Sequence, residues 1–555
     1  MSGCDDDHRV VRLLPFDRWD SVCAALVAGL AVLVLSRGLT EGGFRFGDAA
    51  VHAMDGVLIH DWLAAGPTAW LSPVEFALQQ YAHYPSLGIG RHYPPGFAMV
   101  ESGFFGLFGI SVVTARLCVV FFGVLAVLGT YVFVRRIGGR RSATLAAAAL
   151  ASAPAFTEWG RQVMLEVPTL AAVSWAAVAW QGYRRRPTWW RWGGMIAAAL
   201  AVLLFRQSAW MLLGAIAVTL SFVAWRTKAR WLHAALAMGL ALAVLVALLF
   251  SFERAGAELL RGRATFPSLW EVRALTYYAT VLPSQVGWAV VVTATIGLAA
   301  TWFRREPAAV FLTACLVVTY GIMTAADYKC PRFFFLALLP LVSWAGLGAG
   351  WLVDQAAVRT RRVVVAVLLG AMGWQGYAAP LEIFPDYGQV VAAHRNELLR
   401  RVLLVDADRD THLVFAARQY LPWRQVVVVR GSKLFYTCTA HTTFDFQPLV
   451  GSAEELAGVM QRYAFSYVIS EREDKGRIEQ HAWLRRFLDA SSRYQRVATF
   501  ALTAQDPPSY RDATLDVYEL ALPQADRART LEVPIPRINR TVILDLRGWE
   551  ESHRS

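Results

Sequence analysis

The chain of 555 residues is 56% apolar and 17% charged, with a mean hydropathy of +0.38 and a formal net charge of +12. A soluble domain averages roughly 25% charged and 45–50% apolar residues, so this composition argues against a soluble enzyme, a disordered scaffold and a small disulfide-stapled domain. Residues 1–380 hold 31 basic and 19 acidic side chains and carry the whole surplus, whereas 381–555 hold 23 of each. That surplus lies in short clusters between apolar runs, which is the pattern of cytoplasmic loops in a membrane protein and not that of a nucleic-acid binder.

The N-terminus shows no cleavable signal, since its charged stretch runs to Asp20 and no small-residue cleavage site follows the first apolar run. Eleven apolar stretches are then predicted to span a bilayer as helices: 21–35, 113–134, 143–156, 169–179, 193–205, 209–224, 232–252, 286–303, 308–323, 333–351 and 363–377. An odd number puts the termini on opposite sides. With the N-terminus inside, the clusters Arg135-Arg136, Arg140-Arg141, Arg184-Arg185-Arg186, Arg226 to Arg230, Arg304-Arg305 and Arg359 to Arg362 all fall in the cytoplasm, as retention of Lys and Arg requires. The stretch 95–110 is also apolar, but it contains four glycines and Glu101. Counted as a span it would reverse everything downstream, so it is expected to lie at the outer interface.

The first 380 residues are therefore expected to form a transmembrane domain whose long first outer loop is 37–112. A soluble α/β domain is expected on the outer face over 381–522, with strands at 413–416, 426–429, 467–470, 497–502 and 515–520. Helices are expected there at 389–404, 453–463 and 478–491. Residues 523–555 read as an irregular tail. The six cysteines show neither disulfide nor zinc-ligand spacing.

Ionisable side chains on the outer side form a pattern. Asp48, His52 and Asp55 fall at i, i+4, i+7, one face of a helix, just beyond the first span. Glu166 sits at the mouth of the fourth. Ionisable groups at membrane depth are costly, which makes them functional candidates. Asp61 reads as loop polarity. Arg91, His92, Arg161, Arg206, Lys329 and Arg332 lie on the same outer side, against the positive-inside tendency. A phosphate is the partner that suits them, with snorkelling to lipid headgroups as the alternative.

These residues sit in an ordered series of motifs. An acid early in the first outer loop is followed by Tyr93-Pro94-Pro95-Gly96-Phe97, Phe108-Gly109-Ile110-Ser111, Ala115-Arg116-Leu117 and Arg135-Arg136-Ile137-Gly138-Gly139. Then come Arg161 to Glu166-Val167-Pro168 and Asp327-Tyr328-Lys329-Cys330-Pro331-Arg332-Phe333. The series resembles the polyprenyl-phosphate-sugar-dependent glycosyltransferases of the GT-C fold, in particular the protein O-mannosyltransferases and lipid A aminoarabinose transferases. It covers about the first 350 residues and is strongest over 47–168. Two departures stand out. That family usually shows Asp-Glu followed by Tyr where this chain has Asp48-Ala49 and His52, and its second acid is usually Asp where this chain has Glu166. The sugar is therefore not carried over.

The resemblance implies a polytopic α-helical membrane protein of about eleven transmembrane helices with a C-terminal extracytoplasmic α/β domain. It implies inverting transfer of a sugar from a polyprenyl-phosphate donor to an acceptor hydroxyl on a protein, lipid or glycan. Asp48 would be the base, and Glu166 would position the acceptor or share that role. His52, Asp55, Arg91, His92, Tyr93, Arg161, Arg206, Tyr328, Lys329 and Arg332 would bind substrate. No cofactor or nucleic acid is required, and His52 with Asp55 leaves a divalent cation open. The Ala/Arg/Val-rich, Lys-poor usage suits a high-GC bacterium and hence its inner membrane. A lipid or sugar transporter, or a catalytically inactive receptor of the same architecture, are the rival readings. The absence of an internal repeat and the gathering of acids at one mouth weigh against a transporter.

Overall fold

The computed structural model describes residues 16–546 except 89–92, 228–230, 253–265, 267, 269, 305, 327, 356, 438–445, 473–477, 503–512, 522–527 and 536–539. All eleven apolar stretches fall on helices. In chain order these are α1 (Arg18–Leu35), α2 (Gly47–Ala64), α3 (Pro67–Trp70), α4 (Pro73–His83), α5 (Gly96–Phe108), α6 (Val112–Ser152), α7 (Pro154–Gly160), α8 (Glu166–Arg185), α9 (Trp189–Leu203), α10 (Trp210–Thr227) and α11 (Trp231–Phe252). They continue with α12 (Val272–Val286), α13 (Trp288–Phe303), α14 (Pro307–Ala325), α15 (Leu338–Gln355) and α16 (Val358–Ala378). By length and composition, five helical segments among the described residues are able to cross a membrane, or six when the bent pair α12–α13 counts as one. This is fewer than the eleven expected. The other stretches are short, or carry charged and aromatic ends, as α8 and α16 do.

One of the five holds two of the apolar stretches. Within α6 the backbone breaks at Gly139, whose φ is +81°, a conformation open mainly to glycine. The halves on either side of it read as two legs joined at the Arg135 to Arg141 cluster. Asp20 at the start of α1 fixes this corner: it is fully buried and accepts from Arg135 Nε at 2.6 Å and Nη2 at 2.9 Å and from Tyr131 at 3.1 Å. Two glycines let α13 and α15 touch backbone to backbone. A Cβ on Gly348 would stand 2.1 Å from Thr293 O, and one on Gly297 1.9 Å from Trp344 O, the close approach small residues allow between membrane helices.

At the opposite end of the bundle lies the C-terminal domain. Its elements are α17 (Gly388–Ala393), α18 (Arg395–Leu398), β1 (Arg401–Asp406), α19 (Asp410–Tyr420), β2 (Val426–Arg430), α20 (Gly431–Leu434), β3 (Tyr436–Thr437), β4 (Gln447–Pro448), α21 (Ala453–Tyr463), β5 (Tyr467–Glu471), α22 (Glu479–Ala490), β6 (Tyr494–Ala501) and β7 (Thr514–Leu520). The sheet order is β2-β1-β5-β7-β6, with β2, β1 and β5 parallel and β7 and β6 antiparallel additions.

Three expectations for this region change. The run 413–416, expected as a strand, lies inside α19, whose Leu413 to Ala417 are all buried because the helix is sandwiched between the sheet and the membrane domain. A helix covered on both sides loses its polar face and no longer reads as one. The helix expected over 389–404 stops at Leu398, Arg400 turns left-handed at φ +61°, and β1 begins. Within the tail expected as irregular, β8 (Thr530–Ile535) pairs antiparallel with β9 (Arg540–Asp545), with Leu531 and Val533 buried against the domain core.

The two domains meet along α2. Thr411 Oγ1 donates to Gly47 O at 3.4 Å and His412 bonds Phe46 O at 3.2 Å. Phe415 packs edge-on to Phe44 at 5.0 Å. At the far end of α2, Arg418 donates to both oxygens of Asp61, at 2.9 and 2.5 Å. Asp61, read in sequence as loop polarity, is 2% exposed and joins the domains.

Candidate active site

Helix α2 begins after Phe46 without a side-chain cap, and Asp48 in its first turn complements the positive helix end. Asp48 is half-exposed, and Arg332 Nη1 stands 3.8 Å from its Oδ2. Arg332 follows Pro331 at the start of a 3₁₀ turn leading into α15. Its guanidinium lies 5.4 Å over Phe333, and its Nε has no hydrogen-bond partner among the described residues. Glu166 is the first residue of α8 and 2% exposed; its Oε1 accepts from Arg206 Nη1 at 2.9 Å, while Oε2 has no partner among the described residues. Arg206 occupies the extended break between α9 and α10.

His52, one turn along α2, stands between these pairs, within electrostatic reach of Glu166, Arg206 and Arg332. Its ring packs edge-on to Tyr93 at 4.3 Å. Burial, together with the two arginines, pushes His52 down to about 3, against the pull of Glu166, so the imidazole is neutral at ordinary pH. Four separate chain segments thus bring two carboxylates and two guanidinium groups around a neutral histidine. One ion pair is tight and buried; the other is loose and open to solvent.

Asp55, Tyr328 and Lys329, also candidates in sequence, take part in other contacts. Asp55 is turned to the following loop, accepting from Gly88 N at 2.7 Å. A Cβ on Gly88 would meet Asp55 Oδ2 at 2.5 Å, so glycine is required there, and Gly88 O in turn holds Tyr93 N at 3.1 Å. Arg91 and His92 lie outside the described residues. Tyr328 packs edge-on to Phe333 at 5.8 Å. Lys329 Nζ donates to Thr324 O at 2.6 Å and Ala326 O at 2.9 Å, closing the end of α14.

Arg161 stands apart from the cluster. Its guanidinium donates to Val34 O, Gly376 O, Ala379 O and Pro380 O at 3.1–3.4 Å, tying the ends of α1 and α16 together. Arg161→Ala would leave these carbonyls unpaired in a buried place. It is expected to cost on the order of 3 kcal/mol in unfolding free energy, with Lys recovering only part because it lacks the planar fork. Chemical denaturation checks this; a loss below about 0.5 kcal/mol would free Arg161 for another role.

Sequence reasoning passed over Glu101. It is fully buried on α5, with neither oxygen hydrogen-bonded among the described residues, and it presses on Gly56 of α2, where a Cβ would meet its Oε2 at 2.4 Å. Burial, with Asp55 nearby, raises it well above the usual carboxylate range. The pairing of a glycine on one helix with an acid in a glycine-rich apolar helix was the available signal. Among the described residues no three His, Cys, Asp or Glu side chains converge to hold a metal ion.

His52 and His412 give the fold an acid-sensitive limb. Burial foremost pushes each down to about 3, whereas in the unfolded chain both titrate near 6.5. Between these values the unfolded state binds more protons, so stability rises with pH up to about 6.5 and falls as pH drops toward 3. His52→Gln should flatten part of that slope in melting temperatures recorded from pH 7 to 4; an unchanged slope would mean that His52 is solvated.

The fold is the GT-C fold of polytopic membrane proteins, as the resemblance of the motifs implied. A family profile described as dolichyl-phosphate-mannose-protein mannosyltransferase matches residues 92–251, less than half of the chain. The structure is similar to ArnT from Cupriavidus metallidurans bound to undecaprenyl phosphate, with a TM-score of 0.54, 14% identity, and coverage of 91% of this chain and 99% of that one. The same protein in its apo state gives a TM-score of 0.51 at the same identity and coverage. The oligosaccharyltransferase AglB from Archaeoglobus fulgidus, in complex with an inhibitory peptide and a dolichol-phosphate, gives 0.49 at 12% identity, covering 95% of this chain and 75% of that one. No curated protein sequence matches the chain. At these identities the likeness is one of fold.

Proposed function

We propose that the protein transfers a sugar from a polyprenyl-phosphate donor to an acceptor hydroxyl at the outer face of a bacterial inner membrane, with inversion at the anomeric carbon. The observation carrying this reading is the gathering of Asp48, Glu166, Arg206 and Arg332 around neutral His52 at the domain end of the bundle.

The two ion pairs divide the work by their tightness. Glu166 is held through Oε1 by Arg206 in a dry setting and fixes that side of the cluster. Asp48 faces solvent, is only loosely paired, and serves as the base. As the acceptor oxygen bonds to the anomeric carbon, its proton passes to the Asp48 carboxylate. The bond from that carbon to the phosphate oxygen breaks, and the electron pair leaves with the polyprenyl phosphate, which gains one negative charge. Arg332, with an Nε lacking a partner, is placed to meet that charge. His52 offers a neutral ring nitrogen to a sugar hydroxyl. The scheme calls for no metal, because one phosphate leaves and guanidinium charge is at hand.

The test is release of polyprenyl phosphate by purified protein from a panel of polyprenyl-phosphate sugars supplied with acceptor hydroxyl compounds. Turnover of one donor is expected. Folded protein that binds and turns over none of them would overturn the reading in favour of an inactive receptor.

A further inference from the structure

A second charged centre lies at the opposite end of the bundle. Arg136, at the end of the first leg of α6, and Arg184 and Arg185, in the last turn of α8, are all partly buried. Arg185 is within electrostatic reach of both others. Their hydrogen bonds go to backbone: Arg185 Nη2 to Arg136 O at 2.9 Å and Arg136 Nη1 to Val178 O at 3.1 Å. Arg184 lies over the Trp180 ring at 5.8 Å and has an Nε without a partner among the described residues. No carboxylate forms a salt bridge with any of the three among the described residues, and Glu306 is the one acid within electrostatic reach of Arg184.

Two helix C-termini supply roughly half a negative charge each, and Glu306 supplies one more. Arg191 Nη1 also donates to Gly182 O in the last turn of α8 at 3.1 Å, so four guanidinium groups stand against about two negative charges and a positive surplus remains. The surroundings fix where its partner comes from. Trp189 and Trp190 begin the next helix at 52% and 92% exposed, and Trp225 and Trp231 are 67% and 51% exposed. Such a rim of tryptophans marks the headgroup level of a bilayer.

We propose that Arg136, Arg184 and Arg185 form a site for the phosphodiester of one anionic phospholipid, in the leaflet away from the C-terminal domain. Negative charge on tetrahedral oxygens suits the surplus, and the free edge of Arg184 is a donor that backbone does not use. Basic pockets between membrane helices bind anionic headgroups in this way. The site shares no residue with the cluster around His52, so its fate is independent of the transferase reading.

Native mass spectrometry of the protein released from mixed phosphatidylglycerol and phosphatidylcholine nanodiscs tests it. One phosphatidylglycerol should be retained in about tenfold preference, and Arg136→Gln and Arg185→Gln should each cut retention about fivefold, the equivalent of roughly 1 kcal/mol per basic residue. Arg141→Gln, in an exposed pair with Asp354, should leave it unchanged. Equal retention of both lipids, or of phosphatidylglycerol by wild type and both glutamine variants, would overturn the proposal. If millimolar inorganic phosphate displaces the lipid completely, a soluble anion is the ligand and the lipid assignment falls. Should the glutamine variants not fold, the wild-type preference between the two lipids decides by itself.

Discussion

Asp48→Asn is expected to lower sugar transfer by roughly 10²- to 10⁴-fold, the usual worth of a positioned general base, while leaving the protein as stable as wild type. The second half of that expectation makes it discriminating. Asp48 is half-exposed and 3.8 Å from Arg332, and loose, solvated ion pairs contribute about 0–1 kcal/mol. Removing its charge therefore disturbs chemistry and not folding. Glu166→Gln should behave in the opposite way. Its carboxylate is 2% exposed and holds Arg206 at 2.9 Å, so the variant leaves a guanidinium short of its partner, at a cost on the order of 3 kcal/mol. Measured side by side, transfer rates and melting curves separate the two acids. A stable Asp48→Asn with wild-type turnover would move the base to Glu166. An unstable one would mean that Asp48 is structural and that the loose pair is tighter in solution than its geometry indicates.

Composition and spacing reached some features of this molecule and not others, for definable reasons. Apolar runs are visible because a bilayer selects on length and hydropathy alone, and every one of the eleven falls on a helix. The i, i+4, i+7 spacing of Asp48, His52 and Asp55 holds on α2, yet it gave no sign that Asp55 accepts from the backbone of Gly88. Arg161 and Lys329 look in sequence like phosphate ligands on the outer side. Their guanidinium and ammonium groups end on backbone carbonyls of helix ends up to 219 residues away in the chain, and carbonyls leave no trace in a residue string. α19 defeated periodicity because both of its faces are buried. The residue types that gather at one end of the bundle were legible; partners supplied by backbone, or by the other domain, were not.

The C-terminal domain is expected to act on the site through Asp61. This carboxylate sits at the end of α2 farthest from Asp48 and is 2% exposed. It accepts from Arg418 at 2.9 and 2.5 Å, from Gln80 at 3.0 Å and from His60 at 3.0 Å. Gln80 is held in turn by Trp423, so two residues of the C-terminal domain fix one end of the helix that carries Asp48 and His52. At the other end His412 and Thr411 hold the carbonyls of Phe46 and Gly47. α19 thus runs beside α2 as a splint. Arg418→Ala leaves Asp61 buried without its main counter-charge, and breaking such a pair costs about 3–5 kcal/mol. The expected result is a separate, earlier melting of the interface, with kcat falling about tenfold and donor KM nearly unchanged, because α2 loses its orientation while Arg332 and Arg206 stay in place. Replacing both partners, as in Asp61→Asn with Arg418→Gln, removes the stranded charge and should restore most of the stability. Rate would not return with it if orientation of α2 is what Arg418 supplies. Should rate recover fully in the double variant, the splint is only an anchor. Should Arg418→Ala melt within about 0.5 kcal/mol of wild type, the two domains are joined elsewhere, through Phe44, Phe105 and Phe415.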